Sequence, residues 1–172
     1  MKKIDLFFVG TIIFAAAVAI NGQSAGPKAT LEAFYKYDRS HSQVFNRANI
    51  NARKQWFTAE LYSLLINELK RDAEYLKKNP GDKPYFGDGL PFQPLQENCE
   101  AGKGRVLIIK QDFLKGDRAV ELAGFKYPKP CKDPDPVVYT IGMFKVGGKW
   151  VIDDINYGED TTLKQRLSRK EY

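Results

Sequence analysis

The first two dozen residues differ sharply from the rest of the chain and decide which part of it can enter a fold. Lys2 and Lys3 precede an apolar stretch at 6–20, which is followed by small and polar residues. This order of charge, apolar core and small residues is typical of a secretory signal peptide, which is removed from the folded protein. We therefore predict a signal peptide over 1–24 and a periplasmic or secreted protein.

Two cleavage sites fit the end of this stretch, one after Ala19 and one after Ser24, and the second lies clear of the apolar core. An uncleaved membrane anchor is the alternative. However, a helix of about 15 apolar residues spans roughly 22 Å, which is less than the ~30 Å hydrocarbon layer of a bilayer. No later segment is apolar enough to cross a membrane, so we expect no membrane span after signal cleavage.

The part that follows the leader, residues 25–172, has the size of a single domain that can bury its own core. The full chain carries a net charge of +6, and its lysines and arginines are mixed with acids except near the C-terminus. A nucleic-acid-binding domain usually concentrates its positive charge on one face. We therefore predict one folded domain and expect no nucleic acid among its partners.

Cys99 and Cys131 are the two cysteines of the chain. In an oxidising compartment, an even pair of cysteines in a small domain indicates a disulfide bond. A metal site would need more ligands and a nucleophilic cysteine would need a histidine, and His41 is the one histidine in the sequence. We therefore predict a Cys99–Cys131 disulfide, no metal site and no cofactor.

Two segments in the first half of the domain repeat their apolar residues at helical spacing. They predict helices over 29–40 and 58–77, the second with Thr58 as its N-cap. Residues 41–51 are polar and predict irregular structure or a short helical turn. A long loop at 81–103 follows the second helix, and loops of this length are usually functional or tied down.

The second half of the domain changes to the alternating pattern of β-strands. In one of these strands, Val120 and Leu122 alternate against Glu121. Helices followed by a meander of antiparallel strands define an α+β fold, with the N-terminal helices packed against one face of an antiparallel sheet of about four strands. The predicted strands are 105–113, 118–125, 137–146 and 149–157, and a closing helix is predicted at 160–169.

The Gly147-Gly148 turn fixes the pairing of the last two strands. Continued along both strands, this pairing places Asp154 opposite Ile141, on the same sheet face as Tyr139 and Trp150. Both faces of the strand pair are then largely apolar, so we expect both to be covered or concave.

Three local motifs resemble an exported bacterial family. They are Phe34-Tyr35-Lys36-Tyr37, Asp88-Gly89-Leu90-Pro91-Phe92 with Gln96-Glu97, and Lys149-Trp150-Val151-Ile152-Asp153-Asp154-Ile155. With the order of elements, they resemble the domain of unknown function 3828 family of small periplasmic proteins and lipoproteins, which has a nuclear-transport-factor-two-like (cystatin-like) fold. The resemblance implies export and a cone of helices against a curved sheet. It implies no activity, so it supplies no catalytic residues.

Asp154 is the one weak candidate for catalysis, because a carboxylate among aromatic side chains has a raised pKa and can act as a general base. Isomerases of the broad fold that the chain resembles pair such an acid with a tyrosine, here Tyr35 or Tyr139. The simpler interpretation places Asp154 near a rim, bonded to a loop amide, so we predict no catalytic residue. Candidates for lining a binding pocket are Tyr35, Trp56, Tyr139 and Trp150, although aromatic residues at such spacing usually belong to the core.

Three hypotheses about function follow. The first is an exported, non-enzymatic binding domain for an unknown protein or small-molecule ligand of the cell envelope, acting through the concave sheet face or the long loop. The second is an isomerase- or hydrolase-like enzyme that uses Asp154 in a concave pocket. The third is a structural protein of the envelope.

Overall fold

The computed structural model describes residues 25–87, 89–94, 106–126, 137–158 and 161–169. The predicted signal peptide and both cysteines lie outside these ranges. The described elements follow one another as helices first and strands second, with a short helix at the end. They are α1 (Pro27–Ser40), α2 (Arg47–Arg53), a 3₁₀ turn (Lys54–Trp56), α3 (Ala59–Lys78), β1 (Val106–Lys115), β2 (Arg118–Lys126), β3 (Val137–Val146), β4 (Lys149–Asn156) and α4 (Leu163–Leu167).

The two long helices form where the apolar spacing predicts them. In α1, the buried face includes Leu31, Phe34 and Tyr35. In α3, the Thr58 side chain accepts a hydrogen bond from the Leu61 amide at 3.3 Å, so its prediction as the N-cap is confirmed. The negative charge of Glu60 lies in the first turn, where the helix dipole favours it.

Helix α2 is longer than the irregular segment or short turn expected over 41–51. The Asn46 side chain accepts a hydrogen bond from the Asn49 amide at 2.9 Å and so caps the helix. Only Ile50 and Arg53 are buried in α2. Because its buried face holds one apolar residue and one arginine, α2 does not show the helical repeat of apolar residues from which a helix is predicted.

The four strands form one antiparallel sheet in the order β1-β2-β3-β4, so the α+β prediction with a sheet of about four strands is confirmed. A single parallel bridge between Phe57 and Ile152 extends the sheet by one residue beside β4. The helices cover the sheet face that carries Ile141 and Phe125, and the Tyr35 ring contacts the Phe125 ring edge to face at 5.2 Å. The sheet is therefore covered by helices on one side.

The predicted pairing of β3 with β4 is correct from the turn to Met143 and wrong from Gly142 onward. The pairs from Val146 with Lys149 to Met143 with Ile152 are as expected, but Gly142 rather than Ile141 faces Asp154. One extra residue in β4 forms a β-bulge at this point, and a bulge shifts the alternation of the following side chains.

The bulge changes which side chains of β4 reach the core. Ile152 and Ile155 are both fully buried, whereas Asp153 and Asp154 between them are partly exposed. A strand without the bulge would have sent Asp154 into the core with Trp150. The irregularity therefore buries two isoleucines and keeps two carboxylates out of the apolar interior.

The alternation along β2 is the reverse of what its apolar residues suggest. Glu121 is fully buried on the helix-covered face, beside Ala119 and Ala123, whereas Val120 and Leu122 are half-buried on the other face. The small alanines leave room for α1 to lie close to this strand.

The second sheet face is exposed at several positions. Val138 is 44% exposed and Phe113 is 46% exposed, and both lie on this face. The described helices gather on one side of the sheet, and on the other side Val151 of β4 is buried while Val138 and Phe113 are exposed, so the expectation that both faces are covered or concave stays a prediction for the second face.

Candidate functional site

The long loop after α3 is predicted to be functional or tied down, and its described part is tied down. Phe86, Leu90 and Phe92 are buried. The Leu90 amide donates to the Gln43 carbonyl at 2.7 Å, and the Tyr157 hydroxyl donates to the Pro91 carbonyl at 2.8 Å. The loop therefore has fixed contacts to the α1–α2 connection and to the end of β4.

A buried ion pair lies beneath this loop. Arg53 Nε donates to Asp38 Oδ1 at 2.6 Å, and both side chains are at most 1% exposed. The guanidinium also donates to the carbonyls of Asn49 and Ser42, at 3.0 and 3.1 Å. The other carboxylate oxygen of Asp38 accepts a hydrogen bond from the Gln93 side chain. One charge pair thus connects α1, α2 and the loop.

The loop and the end of the sheet enclose a cleft with a volume of about 360 Å³. This is within the ~300–1,000 Å³ typical of small-molecule sites. We call it the tyrosine cleft, because tyrosine rings form much of its wall. Its lining includes Tyr85, Phe86, Leu90, Tyr139, Tyr157 and Arg166.

Two arginines of the C-terminal segment stack on rings of the tyrosine cleft. The Arg166 guanidinium carbon lies 4.5 Å from the centre of the Tyr157 ring, and that of Arg169 lies 3.7 Å from the centre of the Tyr85 ring. The buried Glu68 carboxylate forms an ion pair with Arg169, and this ion pair keeps the Arg169 guanidinium close to the Tyr85 ring. These contacts hold the Tyr157 and Tyr85 rings in place.

A chain of ring contacts leads from Tyr157 and Tyr139 of the cleft wall through Phe125 to Tyr35. The Tyr139 ring lies 4.9 Å from the Tyr157 ring and 5.2 Å from the Phe125 ring, and Phe125 contacts Tyr35. Burial raises the pKa of Tyr157 above its ordinary value, and nearby Tyr139 adds to this while Arg166 opposes it. Burial also raises the pKa of Tyr35. Both phenols are therefore neutral at physiological pH, and the Tyr157 hydroxyl is the one that donates, to the Pro91 carbonyl.

The four residues suggested as pocket lining divide between different places. Tyr139 lines the tyrosine cleft, and Tyr35 lies behind it, in contact with Phe125. Trp56 and Trp150 line a separate groove of about 380 Å³ that runs along the exposed alanines of α1. The structure therefore brings two of the four towards one site and places the other two elsewhere.

Asp154 lies at the outer edge of the sheet, away from Tyr35 and Trp150. Its Oδ1 atom accepts hydrogen bonds from its neighbour, the Ile155 amide, and from the Lys164 amide in the first turn of α4, each at 2.9 Å. These bonds stabilise the N-terminus of α4 and attach it to β4. The bulge turns Asp154 out of the core-facing register and leaves it partly exposed, and its Oδ1 atom is occupied by two backbone amides, so the general-base idea gains no support.

The neighbouring carboxylate, Asp153, also anchors α4. Lys164 Nζ lies 2.7 Å from Asp153 Oδ1 and 2.6 Å from Glu60 Oε2, and Thr58 Oγ1 donates to Asp153. Burial disfavours the charge of Lys164, but the hydrogen bonds to both carboxylates outweigh this and raise its pKa. The acidic pair of β4 therefore has a structural partner in α4.

Sequence reasoning missed Glu121. Its carboxylate is buried on the helix-covered sheet face, and neither oxygen has a hydrogen-bond partner among the described residues. Burial raises the pKa of Glu121, and Glu32 raises it further while Lys28 opposes the shift. The one sequence signal for a buried Glu121 is the alternation of β2, in which Glu121 falls on the same sheet face as Ala119, Ala123 and Phe125.

Most of the tyrosine cleft was also missed. Tyr85 and Leu90 come from the loop, Tyr157 follows β4, and Arg166 belongs to α4. No local pattern connects these segments. The long loop itself was the one signal in the sequence that pointed towards this end of the sheet.

Across the described ranges, no three histidine, cysteine, aspartate or glutamate residues gather into a group that could hold a metal ion. Within the same ranges, no helix combines the length and the apolar character needed to cross a membrane. No protein-family model, curated protein or solved structure matches the chain. The resemblance to the domain of unknown function 3828 family therefore stays a prediction.

Proposed function

We propose that this protein is an exported, non-enzymatic binding domain that holds a small ligand in the tyrosine cleft. The observation that carries the proposal is a preformed cleft of about 360 Å³ whose aromatic walls are fixed by hydrogen bonds and cation–π contacts. Preformed clefts of this size are the usual binding sites for small molecules. Export rests on the leader at 1–24.

The lining defines the chemistry of the ligand. Tyr85 and Tyr139 at the cleft wall favour a flat, partly apolar molecule, and the Arg166 guanidinium lies at the same wall. The ligand class that fits is therefore a small aromatic or planar anion. A protein ligand that inserts a loop carrying an aromatic and an acidic side chain would use the same chemistry.

The finer fold is part of the same proposal. Helices followed by an antiparallel meander, with a cleft at one end of the sheet, are consistent with the nuclear-transport-factor-two-like cone and with the domain of unknown function 3828 family. The enzyme hypothesis gains no support from Asp154, because its carboxylate oxygen holds α4. A purely structural role in the envelope leaves the cleft without a purpose.

A fluorescence titration with anilinonaphthalene sulfonate, a planar aromatic anion, tests the cleft. We expect saturable binding to one site, weakened about fivefold or more by Tyr85→Ala, because one stacking ring is lost. Tyr62→Ala is the matched control, since Tyr62 is also a partly exposed tyrosine under a cation, with Lys54 Nζ 5.0 Å from its ring centre. Equal effects of the two substitutions would refute the proposal.

Native mass spectrometry of the protein released gently from its host compartment tests for the natural ligand. We expect a noncovalent small molecule on the wild type and less of it on Tyr85→Ala. The same spectrum gives the mass of the processed chain, which should begin at Ala25 or Ile20. A chain that still begins at Met1 in the cytoplasm would contradict export while leaving the cleft testable.

A further inference from the structure

Two hairpin turns lie side by side at one end of the sheet. The turn of β1 and β2 contains Gly116, and the turn of β3 and β4 contains Gly147 and Gly148, which have positive φ angles. The Lys145 amide donates to the Asp117 carbonyl at 2.8 Å, so the two turns form one surface. We call this surface the hairpin end.

The hairpin end exposes apolar side chains. Phe113, Leu114 and Val146 are 46%, 48% and 58% exposed, and they are three of the six large hydrophobic residues that are exposed among the described residues. Phe113 and Val146 lie on the second sheet face and Leu114, opposite Ala119, on the other, so exposed apolar side chains surround this end of the sheet, and such a concentration marks an interaction surface.

Cations surround these apolar side chains. Lys115, Arg118, Lys145 and Lys149 are all exposed at the hairpin end, and the described carboxylates near them are those of Asp112 and Asp117. The Arg118 guanidinium carbon lies 5.4 Å from the centre of the Phe144 ring, so its stem lies along the sheet. The surface is therefore positively charged as well as apolar.

We propose that the hairpin end docks on an anionic phospholipid surface. Apolar side chains on protruding turns can enter the boundary between headgroups and acyl chains, while lysine and arginine stems reach back to the anionic headgroups. A protein interface fits less well, because such interfaces deplete charge from their apolar centre, whereas here cations alternate with the apolar residues along the chain. The charge of the surface complements that of the lipid.

The geometry of the sheet gives this docking a direction. The tyrosine cleft lies near the first residues of β3, and the hairpin end lies at its last residues, so roughly 30 Å of strand separates them. Docking at the hairpin end leaves the cleft open on the side away from the membrane.

Flotation with lipid vesicles tests the proposal. We expect the purified protein to bind vesicles of equal parts phosphatidylglycerol and phosphatidylcholine, to bind phosphatidylcholine vesicles weakly, and to be released by high salt. The double variant Lys145→Glu, Lys149→Glu should bind the anionic vesicles about 25-fold or more weakly, from about fivefold for each lost cation. Val146→Ser should also weaken binding.

The matched control is Lys36→Glu, Lys70→Glu, which makes the same change of net charge at exposed positions of α1 and α3. It should keep most of the binding, and all variants should keep the circular dichroism of the wild type. All proteins share residues 1–24, so an unprocessed leader would contribute equally to each. Tyr85→Ala should not change vesicle binding, which separates this proposal from the proposed function.

Three results would overturn the docking proposal. They are unchanged binding of the hairpin-end double variant, an equal loss in the matched control, and equal binding to vesicles that lack phosphatidylglycerol. Soluble polyglutamate distinguishes lipid from an acidic protein partner. If it binds as tightly as the anionic vesicles at equal charge concentration, the surface recognises acidic polypeptides and the lipid assignment is wrong.

Discussion

Replacing Asp38 by asparagine should destabilise the whole domain, because it leaves the Arg53 guanidinium buried without a countercharge. Arg53 is fully buried, and its shortest hydrogen bond, 2.6 Å, is the one to Asp38. Removing one partner of a buried ion pair costs about 3–5 kcal/mol. Asparagine keeps an acceptor oxygen, and the bonds from Arg53 to the carbonyls of Asn49 and Ser42 remain. We therefore expect a loss of about 3 kcal/mol, which is roughly 150-fold in the unfolding equilibrium.

Urea denaturation followed by tryptophan fluorescence measures this loss as a lower midpoint with an unchanged slope. Glu60→Gln is the matched control, because Glu60 is 69% exposed in its ion pair and should contribute less than about 1 kcal/mol. The double variant Asp38→Leu, Arg53→Met should recover much of the loss, since it removes both charges. A cost below about 1 kcal/mol for Asp38→Asn, or no recovery in the double variant, would refute the reasoning.

Three further predictions concern stability. Glu121→Gln should raise the free energy of unfolding at neutral pH by about 1 kcal/mol or more. Because the pKa of Glu121 is raised in the folded state, the folded wild type binds more protons than the unfolded wild type. The lower stability of the wild type relative to the variant should therefore vanish as the pH falls below 4.5, the ordinary pKa of a glutamate side chain. Urea midpoints across pH check this, and an advantage that grows in acid would contradict it. Tyr35→Phe should be neutral or stabilising by about 1 kcal/mol, because it deletes a buried hydroxyl that has no partner in the described structure; a loss above 1 kcal/mol in thermal unfolding would show a missing hydrogen bond. Reducing the predicted Cys99–Cys131 disulfide should cost about 3–4 kcal/mol, and free labelling of both thiols in the native protein would disprove it.

The elements were predictable where local chemistry decides them. Thr58 caps α3 as expected, and the Gly147-Gly148 turn fixed the first pairs of β3 with β4. The bulge was not predictable, because the sequence around Asp153 and Asp154 alternates equally well with or without an extra residue. Only the burial of both Ile152 and Ile155 against the helices selects the bulged register.

The site was predictable only as a region. The length of the loop after α3 pointed to the correct segment, and Tyr139 was named as a lining residue. Arg166 reaches the cleft because α4 folds back on β4 through the Asp154 cap, a contact that no local pattern contains. The burial of Glu121 was not predicted, because an acidic residue in a strand is expected to face solvent. Glu121 shares a sheet face with Ala119 and Ala123, and this face is covered by α1.

A nuclear magnetic resonance titration with anilinonaphthalene sulfonate tests the central claim most directly, because it reports where the probe binds. We expect backbone amide shifts concentrated at Leu90, Tyr139 and Tyr157, saturating together, with little change at the hairpin end. Shifts concentrated instead at Trp56 and Trp150, or spread over the whole domain without saturation, would contradict it.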